Sequence, residues 1–189
     1  MKNLNPTLWR TCRMLAGSTR IRLLRGLHDH PGRCVNDLAQ DIGIGISDAS
    51  QELRRIQSRG LLRSKREGAR VLYRLEADPQ VASAAPILKA LKTALATLPP
   101  ERDEDMRRIA FGLAYPRRIA IARALLAEPQ TGMGLSQELE LSTFAVFNHV
   151  RILRESGWVR RGADQRLNLS PPDHPLGAAL FRLLSSVTE

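Results

Sequence analysis

The strongest constraint on this chain is that one pattern occurs in it twice. Leu15-Ala-Gly-Ser-Thr-Arg-Ile-Arg-Leu-Leu-Arg-Gly-Leu27 lines up with Leu113-Ala-Tyr-Pro-Arg-Arg-Ile-Ala-Ile-Ala-Arg-Ala-Leu125 at an offset of 98 residues, and Pro31 falls on Pro129. Leu38-Ala-Gln-Asp-Ile42 falls on Leu135-Ser-Gln-Glu-Leu139 and Gly60-Leu-Leu-Arg63 on Gly157-Trp-Val-Arg160, both at an offset of 97. One deleted residue over such a span, with glycine and apolar positions kept, marks an internal repeat. Its period is too long for a solenoid and suits two whole small domains, 1–98 and 99–189.

Within the first copy, residues 38–62 read as two short helices joined by a tight turn. Leu38, Ala39 and Ile42 mark the buried face of the first helix. Gly43 and Gly45 break the pattern, and Ser47 is placed to cap the second helix. In that helix, over 47–59, Ala49, Leu53 and Ile56 recur at i, i+4 and i+7 as one apolar stripe. The opposite face carries Ser47, Asp48, Ser50, Gln51, Arg54 and Arg55, and Gly60 supplies a left-handed stop. This is a helix-turn-helix pattern. Residues 61–75 come next as two strands around a Glu-Gly-Ala turn, with Lys65, Arg66 and Arg70 at the basic tip of the hairpin.

The second copy repeats the arrangement. Ser142 to Ser156 keeps the buried stripe as Val146, Val150 and Leu153, and its outer face carries Ala145, Phe147, Asn148, His149, Arg151 and Arg154. A second hairpin spans 159–169. Around these cores the sequence predicts helices over 5–16, 18–28 (capped by Ser18), 35–42, 81–98, from about Glu101 to Leu113, and 176–187. Both copies therefore read as mainly α with small β-hairpin wings, giving tandem winged helix-turn-helix domains.

Each half resembles the ArsR (arsenic-repressor) type of bacterial winged-helix transcriptional regulator. The resemblance rests on Leu15-Ala-x-x-x-Arg20-Ile21, on the Leu38-Ala39/Ile42 element, on Leu53-Arg54-x-Ile56-x-x-x-Gly60-Leu61-Leu62, and on Arg66-Glu-Gly-Ala-Arg70-x-x-Tyr73-Arg74-Leu75. That family usually forms single-domain homodimers through the first and last helices of each protomer. The resemblance implies that helices 81–98 and 106–113 pair with 7–15 and 176–187, making one chain a pseudo-dimer; association of two chains is the other arrangement open. It further implies duplex DNA as partner, read in two major grooves about one turn apart. Because the two recognition helices differ, the expected site is asymmetric. Gln51 suits adenine, Arg54 or Arg55 guanine or phosphate, and Asn148, His149 and Arg151 are the readers of the second helix. Repression by occupying promoter DNA is the expected role.

Charge agrees with a polyanionic partner. The chain has 29 Lys+Arg against 19 Asp+Glu, formal net charge +10, and a pI near 10.9. The first 98 residues hold 17 basic and 8 acidic side chains, net +9, leaving net +1 beyond them. The first half is therefore the expected main phosphate binder. Arg20 and Arg22 are further phosphate candidates beside a solvated alternative. No apolar run approaches the roughly 20 residues that cross a bilayer, and no charged-then-apolar leader follows Met1, so a cytoplasmic protein without membrane partners is expected.

Metal and catalytic chemistry find little footing. Metal-sensing relatives carry Cys-Val-Cys-Asp-Leu in the third helix; here it is Cys34-Val35-Asn36-Asp37-Leu38, and the second half has Gly132-Met133-Gly134. Soft-metal sites need at least two placed thiolates, so Cys12 and Cys34 are expected as buried structural residues, and no metal or cofactor is expected. There is no phosphate-cradling glycine loop, His-Glu-x-x-His or nucleophile elbow, so no enzyme is expected. The alternative from a different class is a protein-interaction adaptor, which Phe144, Phe147 and Trp158 exposed together would favour.

Overall fold

The computed structural model describes residues 7–186. The order is α1 (Leu8–Leu15), α2 (Ser18–Asp29), β1 (Arg33–Cys34), α3 (Val35–Ile42), α4 (Ile46–Gln57), β2 (Arg63–Glu67), β3 (Arg70–Arg74) and α5 (Ala84–Thr97). A 3-10 turn at Pro100–Arg102 leads to α6 (Asp103–Gly112), α7 (Pro116–Ala127), α8 (Gly132–Glu138), α9 (Thr143–Glu155), β4 (Val159–Arg161), β5 (Leu167–Leu169) and α10 (Pro175–Ser186). A mainly helical chain with small antiparallel sheets fits a winged helix. Among the described residues no helix is long and apolar enough to cross a membrane.

The expected helices form with shifted ends. α4 starts at Ile46 because Gly45 is already extended and its carbonyl accepts the Ala49 amide at 2.9 Å. Ser47 therefore sits inside the helix and caps nothing. Likewise Gly17, not Ser18, is the N-cap of α2. α5 begins at Ala84 rather than Val81, since Val81 folds into a turn whose amide bonds Asp78. Parts of the first and last expected helices, Asn5, Pro6 and Val187, lie outside the described residues.

The hairpin also gains a strand that the sequence did not announce. β1 pairs antiparallel with β3, Arg33 opposite Tyr73 and Cys34 opposite Leu72, giving the order β1-β3-β2. In the second half a single bridge, Gln130 to Leu167, stands in the corresponding place beside β5.

Glycines fix two close approaches. Gly60 has φ +71, and a Cβ there would lie 2.9 Å from Val81 Cβ. Gly157, its counterpart at the 97-residue offset, has φ +83. Gly112 lets α6 touch the end of α9: a Cβ would fall 2.3 Å from Ser156 Oγ and 2.5 Å from Trp158 Cδ1. Trp158 is fully buried there and donates its indole N–H to the Ile109 carbonyl at 2.9 Å. Its burial removes it from the exposed aromatic set that an adaptor would use.

The halves meet through their first and last helices, α1 against α6 and α5 against α10. One buried cluster runs through both halves, from Cys12 and Leu15 through Leu91 and Leu95 to Met106, Leu113, Leu180 and Leu184. The connection at Pro99-Pro100 is held by Arg25 of α2. Its guanidinium makes two bonds to the Asp103 carboxylate, 2.5 and 3.0 Å, and two to the carbonyls of Leu95 and Leu98, 2.8 and 3.1 Å. The hydrogen-bonded Asp103 raises the guanidinium pKa, against the opposing effect of burial.

These contacts set two expectations for stability. Arg25→Ala strands a largely buried carboxylate and two helix-end carbonyls, and is expected to cost about 3 kcal/mol in chemical denaturation. His174 is buried, its Nδ1 accepts the Leu176 N–H at 3.0 Å, and its buried Nε2 has no partner among the described residues. Burial lowers its pKa below the ordinary 6.5; Arg102 and Arg108 push the same way, and Asp105 and Asp173 oppose. A protonated ring could not accept from the start of α10, where a helix also disfavours a cation. The stability this neutral ring supports is therefore present above pH 6.5 and lost as pH falls below it. Melting temperatures from pH 7.5 to 5 should decline, and His174→Asn should flatten that decline.

Candidate nucleic-acid interface

α4 buries Ala49, Leu53 and Ile56 against the first-half core. The i, i+4, i+7 geometry then turns Ser47, Gln51 and Arg54 outward together. All three are exposed, as are Asp48 and Arg55, while Ser50 is half-buried. Arg54 makes no ion pair among the described residues, whereas Arg55 pairs with Glu52 one turn back. Glu52 is shared, because Arg20 of α2 reaches the same carboxylate at 2.5 Å. Arg20 also donates to the Met14 carbonyl and Arg22 to that of Ile42. These two arginines hold α2 to its neighbours instead of standing free for phosphate.

The hairpin carries its basic groups outward. Every residue of β2 is exposed, and Gly68, with φ +62, closes the tip. Lys65 lies 3.3 Å from Glu67, Arg66 donates to the Gly68 carbonyl at 3.3 Å, and Arg70 is exposed. Exposed pairs of this kind are weak and exchange readily with a phosphate.

α9 presents a different face. Ser142 caps it, accepting the Ala145 amide at 3.2 Å. Phe144 and Phe147 are 75% and 65% exposed, standing where the first half has Ser47 and Ser50, and Met133 is 67% exposed. Asn148 is half-buried. His149 does not project outward: its ring stacks on Tyr115 with centroids 5.4 Å apart, and its buried Nδ1 has no partner among the described residues. Burial lowers its pKa, and Arg118 and Arg117 add to that. The imidazole thus takes the place that Glu52 holds in the first half, beside Arg118, the counterpart of Arg20. Arg118 is itself buried, donates to the Phe111 carbonyl at 2.8 Å, and lies over the Phe111 and Tyr115 rings.

Of the second-helix readers, Arg151 alone is exposed, with Glu155 at 3.1 Å one turn on. It borders a recess of about 550 Å³ whose other basic walls are Arg154, Arg160 and Arg161. Sequence reasoning passed over Arg160 and Arg161, although the repeat sets Arg160 on Arg63.

Neither cysteine is placed for easy metal capture. Cys12 is fully buried, and burial pushes its thiol pKa well up. Cys34 is a free buried thiol at the N-cap of α3. There the Asp37 carboxyl, held below its usual pKa by hydrogen bonds from the Cys34 side chain and amide, accepts that amide at 3.1 Å.

No family model matches the chain. A stretch of 64 residues, 34% of the chain, is 39% identical to the HTH-type transcriptional regulator KmtR of Mycobacterium tuberculosis (strain ATCC 25618 / H37Rv). It covers 48% of that protein, so the chain spans about half the length of this curated relative.

Because Phe144 and Phe147 project into solvent, they contribute little to folding. The double variant Phe144→Ser/Phe147→Ser should keep its unfolding free energy within about 0.5 kcal/mol per site in urea titrations. A larger loss would mean that the two rings pack inside the protein.

Proposed function

We propose that this chain is a duplex-DNA-binding transcriptional regulator whose two winged-helix halves, 1–98 and 99–189, act as a pseudo-dimer. The observation that carries the reading is the outward face of α4 beside the hairpin β2–β3. Arg54, Gln51 and Ser47 stand exposed on the helix, and Lys65, Arg66 and Arg70 on the hairpin. The local similarity to a named transcriptional regulator favours the same class, and a regulator of this kind is not an enzyme.

In this reading α4 enters a major groove while the hairpin follows the adjacent backbone. Arginines and lysines on phosphates supply most of the affinity, and the helix reads base edges. Packing of α1 on α6 and α5 on α10 supports presentation of α4 and α9 by one chain. The asymmetry between them argues for an asymmetric operator. Occupying promoter DNA would make the protein a repressor. The pairing of halves removes the need for a second chain, in contrast to a homodimer.

One observation favours a second reading for the C-terminal half. Phe144, Phe147 and Met133 give α9 and α8 an apolar outer surface where a groove-reading helix would be polar. That half would then serve as a protein-docking module and leave DNA to α4.

Fluorescence-anisotropy titration of random-sequence duplex across a salt series tests the proposal. Binding should weaken linearly in log-log form, and Arg54→Ala/Arg55→Ala should lower the slope by roughly 1 to 2. A comparable effect of Arg151→Ala would engage the second half, and its absence would favour the docking role. No binding at low salt by the folded protein sinks the regulator reading.

A further inference from the structure

We propose that the recess between α1 and the C-terminal turn of α4 is a binding site for a small polyphosphate anion. The recess measures about 480 Å³ and is walled by Arg10, Arg13, Arg20, Arg55 and Arg59, with Trp9 on its apolar side. That volume lies within the range typical of small-molecule sites.

Five arginines line the recess, and no carboxylate does. Glu52 satisfies Arg20 and Arg55 together. Arg10, Arg13 and Arg59 form no ion pair among the described residues; Arg10 rests over the Trp9 ring at 5.0 Å. Arg59 is half-buried, and its burial, with Arg10 close by, presses its guanidinium below the usual pKa. A cluster of like charges partly withdrawn from water is stabilised by a multiply charged anion, and planar guanidinium forks match phosphoryl oxygens two at a time. One or two carboxylates would leave much of that charge unmatched, whereas a chain of phosphoryl groups would not.

The repeat provides an internal comparison. The corresponding recess of the second half is walled by Arg107, Arg108, Phe111, Ile152, Glu155 and Ser156, and measures about 240 Å³. Arg13, Arg55 and Arg59 are replaced there by Phe111, Ile152 and Ser156, and Ser58 by the carboxylate Glu155. Its two arginines are already paired, Arg107 with Glu104 and Arg108 with Asp105 at 3.0 Å. The same fold thus builds a smaller, charge-balanced recess in one half and an open, unbalanced one in the other. The recess also lies on the flank of α4, with Arg55 and Arg59 one turn apart beside Glu52, and not on the outward face of Ser47, Gln51 and Arg54. An occupant would bridge α4 to α1, the helix that packs on the other half.

Isothermal titration calorimetry of the full chain with sodium tripolyphosphate tests the site, beside anisotropy with a duplex of about 20 base pairs. Saturable tripolyphosphate binding is expected, weakened at least about tenfold by Arg13→Ala/Arg59→Ala. It should change less than about twofold in Lys89→Ala/Lys92→Ala, which removes the same charge from the exposed face of α5, away from both basic recesses. Equal weakening by both pairs, or no binding by the unaltered chain, overturns the proposal. Duplex affinity that falls in parallel with tripolyphosphate affinity in Arg13→Ala/Arg59→Ala assigns the recess to DNA backbone and overturns it as well. If the Arg59 substitution unfolds the chain, Arg13→Gln, at an exposed position, carries the test with an expected loss of about threefold or more. The tripolyphosphate arm needs no DNA, so its failure and failure of the regulator reading are separate results.

Discussion

Helices α1, α5, α6 and α10 carry apolar stripes that find their cover across the boundary between halves, and the rest of the structure is arranged around that burial. Ile87, Leu91, Ala94 and Leu95 of α5 are almost wholly withdrawn from water, and α10, with Leu176, Leu180 and Leu184, is what α5 packs on most. α1 and α6 do the same through Cys12, Leu15, Met106 and Ile109. Burial is the dominant favourable term in folding, and separating the halves would expose the faces that α1 and α6, and α5 and α10, bury against each other. The Arg25 clamp then sets where the connection turns, since its partners are the last carbonyls of α5 and the first carboxylate of α6.

On that frame the halves diverge where they meet solvent. The buried stripe of the second helix in each helix-turn-helix is the same in kind, Ala49, Leu53 and Ile56 against Val146, Val150 and Leu153. The outward positions are not: Ser47 and Ser50 become Phe144 and Phe147, and Glu52 becomes His149. Replacing Glu52 removes a carboxylate that holds two arginines, and the second half answers with a buried guanidinium stacked on two aromatic rings. Core positions stay apolar while individual sizes shift, Ala49 against Val146 and Leu61 against Trp158, whereas outward positions are free to change their chemistry. That is the physical basis for expecting different roles from the two halves.

Much of the fold was legible in the chain. The sequence repeats itself at a 97–98-residue offset, the apolar periodicity marks α3, α4 and α9, and Gly60 and Gly157 take the left-handed turns that follow α4 and α9. Helix starts were less legible. Ser47 and Ser18 look like caps, yet a glycine just ahead of each is already extended and offers its carbonyl first. β1 was invisible, because a two-residue strand has no periodicity and exists only by pairing with β3.

The sequence by itself determined the helix-turn-helix pattern, the repeat, and the concentration of positive charge in the first half, since all three are carried by neighbouring residues or by composition. Only the tertiary structure decided which of those charges are available. Arg20 and Glu52 are 32 positions apart and Arg25 and Asp103 are 78 apart, so no local pattern separates an arginine held inside the fold from one facing solvent. The same holds for the aromatics: Trp158 is enclosed because Gly112 lets α6 close over it, while among the described residues no element covers Phe144 and Phe147. Long-range packing, which depends on residues far apart in the chain, is what sorts equal side chains into core, clamp and surface.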